Sequence, residues 1–133
     1  MKLRILTAVC AIAMIIFIGL GLGRVEASPT IIDFELEIEM KDGQEYEIEY
    51  EMKKNQIEAK YAVPRSVTVY GQEALPKIEL FLKQISLVPE VDKEELMNQI
   101  FTAFKIDKKD IEEIEVDVKF DGGKRLKFEQ TFS

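Results

Sequence analysis

From Ile32 onward apolar residues alternate with charged ones, and that alternation predicts the first elements of the fold. Ile32, Phe34, Leu36, Ile38 and Met40 fall on one side of an extended chain, and Asp33, Glu35, Glu37 and Glu39 on the other. A period of two is the pattern of a half-buried strand. Asp42-Gly43 marks a turn, after which Tyr46, Ile48, Tyr50 and Met52 alternate with Glu45, Glu47, Glu49 and Glu51. Both runs keep their apolar residues on even numbers, so facing residues must sum to an even number. A three-residue loop, Lys41-Asp42-Gly43, with the glycine left-handed, satisfies this. It pairs Met40 with Gln44, Ile38 with Tyr46, Leu36 with Ile48 and Phe34 with Tyr50. A two-residue Asp-Gly turn would set Met40 against Glu45 and expose half the apolar set.

A third short strand follows over Ile57–Tyr61, and Val67–Tyr70 is β-prone but short. The stripe Ala74, Leu75, Ile78, Phe81, Leu82 and Ile85 predicts a helix over roughly Gln72–Ser86. Pro76 must then sit in the first turn, or the helix starts irregularly. Asp92-Lys93-Glu94-Glu95 has the form of a capping box. It opens a second helix carrying Leu96, Met97, Ile100, Ala103 and Phe104 on one face and ending near Lys105. Alternation returns with Ile114, Val116, Val118 and Phe120, turns at Asp121-Gly122-Gly123, and resumes with Leu126, Phe128 and Phe132. Grouped strands and grouped helices predict an α+β domain: a single antiparallel sheet of about five strands, two helices on one face, order ββ(β)ααββ.

The chain before this domain reads as an export signal. Lys2 and Arg4 precede the uncharged run Ile5–Ile18, Gly19, Gly21 and Gly23 loosen its end, and Val25-Glu26-Ala27 supplies a cleavage site before Ser28. The expected organisation is a signal peptide over 1–27, or an uncleaved N-terminal anchor. A short tether over 28–33 and the domain over 34–133 follow. The product would be exported, secreted or tethered to the outer face of the cytoplasmic membrane. Membrane contact would come only through the N-terminal segment, if uncleaved. Cys10 lies inside the apolar run after Val9, a poor setting for lipid attachment.

Composition narrows the function by exclusion. Without Lys2, Arg4, Arg24 and Glu26 of the leader, the 18 basic and 25 acidic residues of the chain fall to 15 and 24, a net charge of −9. Nucleic acid is a poor partner for such a surface. Cys10 is the single cysteine and there is no histidine. The commonest general base and thiol chemistry are therefore missing, and no glycine-rich loop leads from a strand into a helix. The expectation is a protein that is not an enzyme and carries no cofactor.

One constellation remains. The deduced register sets Asp33 opposite Glu51, Glu35 opposite Glu49, Glu37 opposite Glu47 and Glu39 opposite Glu45, eight carboxylates on one face of one hairpin. Directly opposed like charges destabilise a sheet, whereas the second hairpin places Asp117 by Lys127. The plainest account of the acidic face is a solvated surface that resists edge pairing. The functional accounts are docking of a basic extracytoplasmic protein or weak binding of a divalent cation such as Ca²⁺. Side chains alternating along flat strands diverge, which disfavours the metal, and no calcium-loop spacing is present.

The motifs Phe34-Glu35-Leu36-Glu37-Ile38 with Asp42-Gly43-x-x-Tyr46-x-Ile48-x-Tyr50, then Gly71-Gln72-Glu73-Ala74-Leu75, Glu94-Glu95-Leu96…Ala103-Phe104 and Ile114-x-Val116-x-Val118-x-Phe120-Asp121-Gly122 follow one another in an order that resembles the YusW-like proteins. The resemblance covers about Phe34 to Phe128. It implies a small exported protein of Gram-positive spore-formers, without an assigned activity or site residues to carry over. The architecture is also similar to PepSY-type domains, and that analogy implies a peptidase-inhibitor-like module.

Overall fold

The computed structural model describes residues 30–132. The leader over 1–27 lies outside them. The elements are β1 (Ile31–Met40), β2 (Glu45–Met52), β3 (Ile57–Ala62), β4 (Val69–Tyr70), α1 (Leu75–Leu82), α2 (Lys93–Phe104), β5 (Ile111–Phe120) and β6 (Arg125–Thr131). They form one six-stranded sheet of order β4-β3-β2-β1-β5-β6, antiparallel throughout. The fold is α+β as the pattern predicts, with one strand more than expected. The addition is β4, whose two residues extend the sheet by pairing Val69 with Tyr61 and Tyr70 with Lys60. β1 begins at Ile31, inside the stretch read as a tether.

The first hairpin forms in the deduced register. Phe34 faces Tyr50, Leu36 faces Ile48 and Ile38 faces Tyr46. Met40 N–H donates to the Gln44 carbonyl at 2.8 Å, and Gly43 takes φ +92° in the turn, a conformation that costs glycine nothing. The Asp42 side chain closes the loop by accepting from Gln44 N–H at 2.9 Å.

Both helices pack on the even-numbered face of the sheet. Phe34, Leu36, Ile38, Ile48, Ile114, Val116, Val118 and Phe120 are buried against Ile78, Phe81, Leu96, Met97, Ile100 and Phe101. Rings knit the layers together: Phe81 stacks on Phe104 at 4.8 Å, and Tyr46 meets Phe104 at 4.9 Å.

The helices differ from expectation at their ends. α1 runs only from Leu75 to Leu82, not Gln72 to Ser86. Gly71 at φ +59° opens a separate 3₁₀ turn, and Pro76 sits in the first turn of α1. Past Leu82 the bonds tighten, with Gln84 N–H donating to the Phe81 carbonyl at 2.9 Å, which ends the α-helix. α2 matches its signals: Asp92 caps it by accepting from Glu95 N–H at 3.1 Å, and Lys105 closes it in the left-handed conformation. Among the described residues no helix is long and apolar enough to cross a membrane.

Candidate functional site

The odd-numbered residues of the sheet make the opposite face, and there the acidic surface is wider than one hairpin. All four predicted cross-strand pairs form: Asp33 with Glu51, Glu35 with Glu49, Glu37 with Glu47 and Glu39 with Glu45. β5 then lies along the free side of β1 and sets Asp117 beside Glu35, Glu115 beside Glu37 and Glu113 beside Glu39. Glu37 therefore stands between two glutamates, and Glu35 between a glutamate and an aspartate. β6 brings Glu129 opposite Glu115. The second hairpin thus alternates charge at Asp117 and Lys127, as expected, but not one pair further along.

Glu113, Glu115, Asp117 and Glu129 join the face only because β5 pairs with β1, about eighty residues away in sequence. Their alternation with Ile114, Val116 and Val118 signals a strand and does not name its neighbour.

Cations are few and local. Lys60 on β3 bonds Glu47 at 2.7 Å. Arg125 bonds both oxygens of Asp117, at 3.0 and 2.9 Å. These contacts hold the Glu47 and Asp117 carboxyls below their ordinary values. Elsewhere the shifts run upward. Burial beneath neighbouring side chains raises Glu35, followed by the charges of Asp33 and Asp117. Burial, then Glu47 and Glu115, raises Glu37. Asp33 and Glu49 rise for the same leading reason. Glu113, whose protonated carboxyl donates to the Glu129 carboxylate, is pushed up to about 7. A flat sheet face thus desolvates its own carboxylates when they are this crowded.

The surface is grooved. A depression of about 230 Å³ is lined by Asp33, Glu35, Glu49, Glu51, Glu58, Lys60 and Tyr70. Tyr70 is 63% exposed, and its pairing with Lys60 puts it on this side of the sheet. Smaller hollows follow β1, one lined by Glu35, Glu37, Glu47, Glu49, Glu115 and Asp117, the next by Glu37, Glu39, Glu45, Glu113 and Glu115. Among the described residues, no three acidic, histidine or cysteine side chains converge to hold a metal ion. The arrangement can attract and orient positive charge along a strip.

No curated protein and no solved structure matches the chain. The model of the YusW-like proteins matches residues 32–122, from the first strand through the turn after β5, so the chain belongs to the YusW-like family.

Proposed function

We propose that the protein is an exported, non-catalytic binding module whose acidic sheet face receives a basic protein outside the cytoplasmic membrane. The observation that carries this reading is the three-strand carboxylate surface of β2, β1 and β5, in which Glu35 and Glu37 are flanked by like charge on both sides. Directly opposed like charges are unfavourable in a sheet, and a cationic partner is the group that relieves them. The flatness of the face suits a protein surface or an extended segment better than a small substrate, and the grooves along β1 give lysine or arginine side chains places to enter. Export rests on the leader, with Lys2 and Arg4 before an apolar run and Val25-Glu26-Ala27 after it.

The test is binding of a lysine-rich peptide to the full chain in mild detergent, at low and physiological salt. Binding should weaken steeply with salt. It should be lost on reversing Glu35, Glu37 and Glu115 to lysine, which leaves the Lys60–Glu47 and Arg125–Asp117 pairs in place. No binding at low salt would refute the proposal. A saturable, salt-resistant response to Ca²⁺ would favour a cation-binding surface instead.

A further inference from the structure

The two edges of the sheet are not equally protected. One is β4, only two residues long, and the other is the seven-residue β6. Phe120 N–H donates to the Lys124 carbonyl at 2.8 Å, and Phe132 N–H to the Glu112 carbonyl at 2.9 Å. With Val118 facing Leu126, Val116 facing Phe128 and Ile114 facing Gln130 between them, the even-numbered residues of β6 turn their backbone groups toward β5. Bonding alternates along an antiparallel ladder, so Arg125, Lys127 and Glu129 turn theirs outward. No described strand lies against them. On the helix side of this edge Leu126 and Phe128 are only half-buried, with Lys93 Nζ 5.8 Å from the Phe128 ring centroid. Long open edges with incompletely covered apolar residues are templates for pairing.

The side chains choose the partner. On the acidic side of the sheet β6 reads Arg125, Lys127, Glu129, Thr131. In an antiparallel pairing with Phe128 at the centre, each Lys127 faces a Glu129 and each Arg125 faces a Thr131. Sliding one step either way sets Lys127 on Lys127 or Glu129 on Glu129. We propose that β6 pairs with β6 of a second copy about a two-fold axis at Phe128, joining the two sheets edge to edge. Such an axis runs perpendicular to the sheet, so both acidic faces lie on the same side of the dimer, separated by the mixed charges of the two β6 strands. The interface is isologous and closes on itself. It stands apart from the docking proposal, since it uses the edge and not the carboxylate face.

The experiment is site-specific cross-linking of the full chain carrying Cys10→Ser, in mild detergent. In this register position 128 is a non-hydrogen-bonded pair with itself, about 4.5 Å between Cα atoms, within disulfide range. Phe128→Cys should give a disulfide-linked dimer under mild oxidation, and Leu126→Cys, which would face Gln130 of the second copy, should not. Sedimentation with Phe128 in place provides a test that does not depend on that substitution. Lys127→Glu should weaken the dimer by about tenfold, as two attractive pairs become repulsive. Lys127→Glu with Glu129→Lys should restore it. A monomeric wild type, equal cross-linking at 126 and 128, or a dimer indifferent to Lys127→Glu would overturn the proposal.

Discussion

Neutralising Glu37 should make the domain more stable. Glu37 is flanked by Glu47 on β2 and Glu115 on β5, and burial together with these charges holds its carboxyl above the ordinary value of 4.5. Glu37→Gln keeps the shape and hydrogen-bonding capacity and removes both opposed pairs. At a few tenths of a kcal/mol per pair, the gain near neutral pH and low salt is about 0.5–1 kcal/mol. For a domain of this size that raises Tm by about 2–8 °C. A carboxyl whose folded value is raised stabilises the fold below its unfolded value, and that contribution is lost as pH rises through the folded value. The advantage of Glu37→Gln should therefore disappear near about pH 4, where the wild-type side chain is itself protonated. It should also shrink in 1 M salt, where the screening length falls to about 3 Å. Urea and thermal melts of wild type, Glu37→Gln and Glu90→Gln, an exposed connector residue, measure the effect. A variant no more stable than wild type at neutral pH and low salt would refute the argument that the face stores repulsion.

Lys60→Met should cost about 1 kcal/mol, because Glu47 loses its 2.7 Å partner and remains opposite Glu37. Glu47 is held below its ordinary value, so that cost should be present above about pH 4.5 and vanish as pH falls through the folded value; carboxyl NMR titration should show Glu47 moving upward in the variant. Asp92→Ala removes the cap from Glu95 N–H and should lower stability by about 1 kcal/mol in urea melts. Ile100→Ala, fully buried between α2 and the sheet, should cost about 2–5 kcal/mol by the same assay.

The first hairpin is legible in the sequence because its strands are neighbours in the chain. Even-numbered apolar positions on both sides of Lys41-Asp42-Gly43 leave few registers, and parity together with the three-residue loop fixes the four carboxylate pairs. Long-range pairing is not legible in this way. Nothing local to Glu115 says that it ends beside Glu37, because that contact depends on β5 choosing β1 as its neighbour. The same blindness applies to strand position: Leu126 and Phe128 read as core residues, yet they are half-buried because β6 is an edge. Phe101 lies outside the apolar face expected for α2, yet it is buried, 6.3 Å from Phe132 in an edge-to-face contact. β4 holds two ladder pairs, too few for alternation to declare a strand. α1 stops at Leu82 although its apolar stripe runs on to Ile85, which is buried beyond the helix end. Periodicity reports which side chains go inward and does not report where the backbone bonds change.

The most direct measurement of the docking account is the proton balance of binding. If a basic partner settles on carboxyls raised by burial and mutual repulsion, it must drive protons off them. Calorimetric titration of a lysine-rich peptide into the full chain at about pH 4.5, where carboxyls raised above the ordinary glutamate value still hold protons, in two buffers of different ionisation enthalpy, reads that balance. Salt-sensitive binding with net proton release is expected, reduced in a Glu35→Gln, Glu37→Gln, Glu49→Gln variant that still melts cooperatively. Binding with no proton release, or binding unchanged in that variant, would contradict it.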